Sequence, residues 1–389
     1  MEVEIGKGKM GRRAYGFDDI AIVPSRRTRD PEDIDISWEI ASHRFHLPCL
    51  ASAMDSAVDP NLSILMGKLG GLGVLNLEGL QTRYENANEI LEKIASLPKE
   101  TATRTMQELY QEPIKPELIK KRIQEIKDGG VVCAASFTPQ KVDQYYEQAL
   151  EAGLDILVIQ GTVVSAEHVS NTRKPLNLKE FIASMPVPVI VGACSSYATA
   201  LHLMRTGAVG VLVGVGPGQA CTTRGVLGIG VPQATAISDA AAARATHLDE
   251  TGRYVHVIAD GGMSKGGDVA KAIACGGDAV MIGSPIARAA EAPGRGWHWG
   301  MATFHPELPR GTRVHVGNEN TLEDILVGPA HENDGTLNLF GALRTSMATC
   351  GYPDIKAFQK AEVMVAPSLQ TEGKSMQRAQ GVGMAADNK

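Results

Sequence analysis

The sequence predicts a single (β/α)8 barrel on three observations: eight short apolar runs of strand length, helical periodicity between them, and Gly, Ser or Asp where the runs end. The runs are LPCLASAM (47–54), GLGVLNL (71–77), VVCAASF (131–137), DILVIQG (155–161), VPVIVGA (187–193), AVGVLVGVG (208–216), YVHVIADGG (254–262) and DAVMIGS (278–284). They are too short for buried helices and rich in Val and Ile, as strands of a parallel sheet covered on both faces are. In PQKVDQYYEQALEAG, Val142, Tyr145, Tyr146, Ala149 and Leu150 recur at helical spacing, and Gly153 can end that helix before the fourth strand.

Two connections are longer than the rest. Residues 78–130, including ELYQEPIKPELIKKRIQEIKDGG, read as a helical insertion after the second strand with no strand pattern of its own. Residues 294–336, rich in Gly, Pro, His and Arg, lack periodicity and read as a functional loop or flap. The polar tail 367–389 reads as a segment that is either disordered or docked on a neighbouring subunit.

Composition bounds the function. With 43% hydrophobic residues and 42 glycines in 389, the chain supports a large core and is not a helical bundle or a disordered chain. A net charge of −6 argues against a broad nucleic-acid surface and leaves room for a pocket that takes a phosphorylated small molecule. Six scattered cysteines without C-x-x-C spacing, and no secretory leader, lead us to expect a reduced, cytoplasmic chain. No apolar run approaches the roughly 18 residues of a membrane helix, so no membrane partner is expected.

In a barrel the chemistry sits where strands give way to loops on the C-terminal rim. Asp260-Gly261-Gly262 follows the seventh strand, and Gly283-Ser284 follows the eighth and opens a helix. Glycines there let backbone N–H groups approach phosphate oxygens. Asp260 only accepts, so it suits ribose hydroxyls, and the two loops together read as a seat for a nucleoside monophosphate. The sixth strand runs into Gly214-Val-Gly216-Pro-Gly218-Gln-Ala-Cys221-Thr222-Thr223-Arg224, which makes Cys221 the candidate nucleophile, with Arg224 and the hydroxyls close enough to favour a thiolate. Cys49, Cys133, Cys194, Cys275 and Cys350 read as packing residues.

Ser52-Ala-Met54-Asp55, the GVGPGQACTTR loop, Ile258-Ala-Asp260-Gly-Gly262, Val280-Met-Ile-Gly283-Ser284 and Gly300-Met301-Ala-Thr303 occur in one order along the chain. In that order they resemble the IMP dehydrogenase and GMP reductase family, in particular its short branch, in which the insertion of roughly 50 residues stands where the CBS pair is usually found. The resemblance implies that Cys221 attacks C2 of the purine, with Thr223 and Arg310 in the catalytic set. It implies that Asp260 holds the ribose and that Gly262, Gly283 and Ser284 hold the phosphate, with Ser52, Met54 and Met301 against the nucleotide. It further implies NAD, held near Gln160 and Gly214, and a potassium ion on the carbonyls of Gly214, Gly216 and Cys221. Glu372 from a neighbouring tail would assist in a homotetramer or homo-octamer.

The chain also departs from the family pattern. Gln160 stands where an aspartate usually ends the fourth strand, and Ala193 where asparagine is common after the fifth. The Arg-Tyr pair that activates water is not recognisable, and 301–317 is short for the usual flap. Arg310 matches the position beside the base, while His305, Glu307, Arg313 and His315 are the other polar candidates. The expected reaction is oxidation of IMP to XMP through a cysteine thioimidate. The alternatives are GMP reductase, which CTTR resembles somewhat more closely, and a purine-nucleotide-binding subunit without turnover.

Overall fold

Each of the eight runs contains a strand, and in the computed structural model, which describes residues 2–171, 174–300, 313–366 and 374–383, the eight close into one parallel barrel. The strands are β1 (Cys49–Ala51), β2 (Leu72–Asn76), β3 (Ala134–Phe137), β4 (Ile156–Gln160), β5 (Val189–Cys194), β6 (Gly210–Val213), β7 (His256–Asp260) and β8 (Ala279–Ile282). They pair in sequence order, and β8 returns to β1 through Val280↔Cys49, Met281↔Leu50 and Ile282↔Ala51.

Alternation is hidden in the uniformly apolar runs and becomes visible once the sheet closes. Leu50, Val74, Ile156, Val158, Ile190, Leu212, Ile258 and Met281 fill the interior. Their neighbours Cys49, Leu75, Leu157, Val191, Val211, Val257 and Val280 pack outward under the helices. A hairpin, Trp38–Ile40 with His43–Phe45, plugs the N-terminal end, where Trp38 Nε1 donates to His256 Nδ1 at 3.1 Å. Buried Trp38, Ile40 and Phe45 belong to the interior cluster.

The outer layer follows strand by strand. After β1 comes α1 (Pro60–Lys68), capped by Asp59, whose carboxylate accepts from Leu62 N–H at 2.7 Å. Residues 78–130 hold α2 (Ala87–Ser96), α3 (Lys99–Leu109) and α4 (Pro116–Asp128). The last of these lies on the barrel beside α1, and Leu118, Ile119, Ile123 and Ile126 form its buried face. Then come α5 (Val142–Glu151), α6 (Leu178–Ser184) and α7 (Tyr197–Met204). The short α8 (Thr223–Leu227) precedes the alanine-rich α9 (Gln233–Thr251), and α10 (Gly266–Ala274) follows β7. After β8 the chain forms α11 (Ser284–Ala287), α12 (Leu322–Leu326), α13 (Leu339–Thr349) and α14 (Ile355–Phe358). Gly153 does follow α5 with φ +88, a conformation that costs glycine little.

The N-terminal end is locked by one carboxylate. Asp278, just before β8, is fully buried and accepts from Arg244 at 2.7 Å, Tyr254 Oη at 2.7 Å, Gln359 at 2.8 Å and Val257 N–H at 2.8 Å; Lys356 completes its shell. Burial alone would raise its pKa, but Arg244 and Lys356 outweigh burial and hold it at about 2, below the ordinary 3.8. Its stabilisation is therefore present above the ordinary value and lost as pH falls through about 2. Removing the charge strands two cations, so Asp278→Asn is expected to cost about 3 kcal/mol, read as a lowered urea midpoint at pH 7. An unchanged midpoint would show that the cluster adds nothing to stability.

Candidate active site

The C-terminal rim surrounds a cavity of about 280 Å³ into which the ends of β1, β4, β5, β6, β7 and β8 open. Cys221 lines it and is exposed, whereas Cys49, Cys133, Cys194 and Cys350 are buried and Cys275 is half-buried. Burial pushes the Cys133 and Cys194 thiols up to about 12 and Cys275 to about 11, which leaves those three sulfurs as unreactive thiols near neutrality. Cys133 lies one residue before β3 rather than within it.

The Cys221 loop is shaped by close approaches. Its own N–H donates to Gly218 O at 3.0 Å, and the thiol donates to Thr223 Oγ1 at 3.3 Å. Gly214 cannot be replaced without movement, because a Cβ there would sit 2.1 Å from Asp260 O. The Arg224 guanidinium does not support a thiolate: it turns away to Val215 O at 3.3 Å and Val231 O at 2.7 Å, because the curled loop offers it two carbonyls. The carbonyl oxygens of Gly214, Gly216 and Cys221 accept no hydrogen bond from the described residues. Such a set of unpaired carbonyls in one loop fits a monovalent cation. Among the described residues no group of three or more His, Cys, Asp or Glu side chains is placed to hold a metal.

Asp260, Gly262, Gly283 and Ser284 line the same cavity, as do Ser52 and Met54 at the end of β1. Gly261 and Gly262 have φ +77 and +79, so the turn after β7 presents backbone rather than side chain. Burial raises the Asp260 carboxyl to about 7, and a hydrogen bond from Gln160 Nε2 at 3.0 Å partly offsets this. Gln160 thus faces across the barrel to Asp260, while its Oε1 is buried without a partner among the described residues. A second cavity of about 90 Å³ opens beside the first, beyond Gly161 and Thr162, lined by Pro139, Val163, His168 and Lys174 among others.

Sequence reading missed two contributors. His298, embedded in the apolar-looking WHW before Gly300, lines the cavity while 2% exposed, and its Nδ1 shares a 2.9 Å hydrogen bond with Ser56 Oγ. Burial lowers its pKa to about 4, so the ring is neutral near pH 7. Gln233, the first residue of α9, donates through Nε2 to Val213 O, Asp260 O and Gly261 O at 3.0–3.1 Å, tying the β6 and β7 rims together. The only local signal for His298 was its place just before Gly300-Met301, and Gln233 had none.

Arg313, a candidate for water activation, is otherwise engaged. It donates to Ile94 O, to Ala95 O at 3.2 Å and to Leu97 O at 2.6 Å, and lies over the Trp297 ring at 3.9 Å. His315, two residues further on in the strand that pairs with Trp297–Trp299, packs edge-on against Trp297 at 5.0 Å. Met301, His305, Glu307, Arg310 and Glu372 lie outside the described residues. No described helix is long and apolar enough to cross a membrane.

Comparison with known proteins agrees with this geometry. The IMP dehydrogenase / GMP reductase domain family matches residues 14–304. A Mycolicibacterium smegmatis protein named as an uncharacterized oxidoreductase is 49% identical over 93% of this chain and 99% of its own length, and a Mycobacterium tuberculosis protein of the same description is equally similar. The IMP dehydrogenase of Methanocaldococcus jannaschii is 26% identical over 93% of this chain and 94% of its own. The crystal structure of an IMP dehydrogenase/GMP reductase-like protein from Corynebacterium glutamicum superposes with a TM-score of 0.89 at 48% identity, covering 94% of this chain and 97% of that one. The chain therefore belongs to the IMP dehydrogenase / GMP reductase family.

Proposed function

We propose that the protein is an oxidoreductase of purine nucleoside monophosphates, and specifically an IMP dehydrogenase that forms XMP with NAD. The observation that carries this reading is one accessible cysteine lining the same cavity as a carboxylate and two glycine turns suited to ribose and phosphate. Ionised Asp260 accepts from the ribose hydroxyls; Gly262, Gly283 and the Ser284 hydroxyl hold the phosphate, and neutral His298 closes that wall. Ser52, Met54 and Met301 bracket the base so that C2 lies over Cys221. The sulfur adds to C2, with Thr223 at its side, and the thioimidate left after hydride loss is hydrolysed to XMP and free Cys221.

NAD supplies the hydride acceptor when bound. Gln160, whose Oε1 has no partner among the described residues, and Gly214 border the space it would enter. Potassium would rest on the Gly214, Gly216 and Cys221 carbonyls, with Glu372 from a neighbouring copy in a tetramer or octamer, and would hold the loop in one conformation. With Arg313 held on α2, Arg310 and the histidines 305 and 315 are left as candidates to take the proton from water. The second reading, GMP reductase, is favoured by Thr223 lying 3.3 Å from the sulfur, where a hydroxyl can pass a proton to departing ammonia.

Four measurements test this reading. IMP with NAD should give NADH absorbance and XMP, while GMP with NADPH should be slow or inert. The reverse result would establish the reductase, and inertness with both pairs would leave a binding subunit. Cys221→Ala is expected to abolish turnover while nucleotide affinity stays within a few fold, since the ribose and phosphate contacts lie on other loops. Potassium should activate relative to lithium at equal ionic strength, and loss of residues 368–389 should weaken that activation; equal rates in the two salts would exclude a cation at the loop. Because ribose binding favours the charged Asp260, affinity should be full above pH 7 and fall by up to about tenfold per unit below it. Gln160→Leu removes the stabilising donor and should move that break to higher pH.

A further inference from the structure

The α2–α3 segment does more than cover the barrel. Leu80, Leu91, Ile94 and Met106 share one apolar cluster with Trp299, a rim residue between His298 and Gly300. At the centre of this contact stands Tyr110, directly after α3. Its hydroxyl donates to Asp55 Oδ2 at 2.6 Å and accepts from Trp299 Nε1 at 2.9 Å. Asp55, 2% exposed, directly follows Met54 and also accepts from Leu80 N–H at 3.1 Å. The chain of bonds thus joins the insertion to two separate walls of the cavity, one ending at Met54 and the other at His298 and Gly300.

We propose that Tyr110 is a positioning residue for the nucleotide cavity, its hydroxyl coupling the α2–α3 insertion to Met54 through Asp55 and to His298 through Trp299. The proposal rests on the reading of that cavity as a nucleotide site. Packing alone does not account for the arrangement: the ring could be phenyl, and Asp55 Oδ1 is buried with no partner among the described residues, so a carboxylate is kept there at a desolvation cost. Burial lifts Asp55 to about 6, against the opposing effects of the Tyr110 hydroxyl, the Leu80 N–H and the charge of Arg83. The charge-assisted bond from Tyr110 is therefore full above about 6 and weakens as Asp55 takes a proton below it. The insertion then holds both walls firmly near neutrality and loosens its hold in acid.

Tryptophan emission reads the coupling without any ligand. Trp299 donates into the titrating chain, whereas Trp38 faces His256, whose pKa burial lowers to about 4, well away from the Asp55 transition. Trp297 lies against His315 and Arg313, so the experiment uses a Trp297→Phe background. In that background an emission transition is expected near pH 6, and it should vanish in Tyr110→Phe and in Asp55→Asn. Tyr110→Phe should also raise the IMP dissociation constant at pH 7.5 by about fivefold, and, because it takes a donor from the buried Asp55 carboxylate, lower the thermal midpoint as well. A transition that survives both substitutions, or an IMP affinity unchanged by Tyr110→Phe, overturns the proposal. If the parent protein binds no IMP, the nucleotide reading fails, and the ligand-free titration still decides whether Tyr110 couples the two walls.

Discussion

The active end of this barrel depends on one carboxamide. Gln233 Nε2 reaches the carbonyls of Val213, Asp260 and Gly261, so the loop that carries Cys221 and the loop that carries Asp260 are fixed to each other by two N–H bonds shared among three acceptors. The contact demands bare backbone around it. A Cβ on Gly214 would collide with Asp260 O, and one on Gly262 would stand 3.0 Å from Pro217 and 3.2 Å from the Gln233 side chain. Glycine here is required by approach distance, and the result is that the end of β6, from which the Cys221 loop departs, is fixed to the end of β7, which carries Asp260.

Two aspartates show how the barrel divides stability from chemistry. Asp278 at the N-terminal end and Asp260 at the C-terminal rim both leave bulk water, yet their pKa values move in opposite directions, to about 2 and about 7. The difference lies in what surrounds them. Asp278 is given two cations and three neutral donors, so its charge is compensated whatever the ligand state. Asp260 is given one amide from Gln160, which leaves most of its hydrogen-bonding capacity unmet and directed at the cavity. A carboxylate left short of donors in a cavity is a binding group, whereas one fully surrounded is a lock.

The legible part of the sequence was the part that depends on local pattern. Strands covered on both faces must be short, apolar and punctuated, so all eight could be located, and the spacing of Val142, Tyr145, Tyr146 and Ala149 marked α5. The singular position of Cys221 in a glycine-rich rim loop separated it from five cysteines that lie buried or half-buried in or beside strands and helices. What could not be read depends on closure. Gln160 pairs with Asp260 across the barrel, a relation between strands four and seven that no local spacing encodes. Arg224 looked like thiolate support and Arg313 like a candidate base, but each found carbonyls brought near by loop curvature or by the insertion. Tyr110 sat in a polar helical stretch, and its partners Asp55 and Trp299 lie 55 and 189 positions away.

The surroundings of the sulfur constrain any mechanism the site can support. With Arg224 turned away, Thr223 is the only described side chain hydrogen-bonded to Cys221 Sγ. A hydroxyl does not stabilise a thiolate as a cation would, but it can accept the thiol proton on one side while donating on the other. The proposed reaction would need such reversibility, because a sulfur that adds to a purine loses its proton and regains one when the adduct is cleaved. An arginine held against the sulfur would favour the first step and oppose the second. A neutral hydroxyl beside the sulfur, with the Arg224 guanidinium bound to the carbonyls of Val215 and Val231, leaves both steps open. On the proposed reading, resolving such an adduct toward oxidation or reduction would fall to groups beyond this loop.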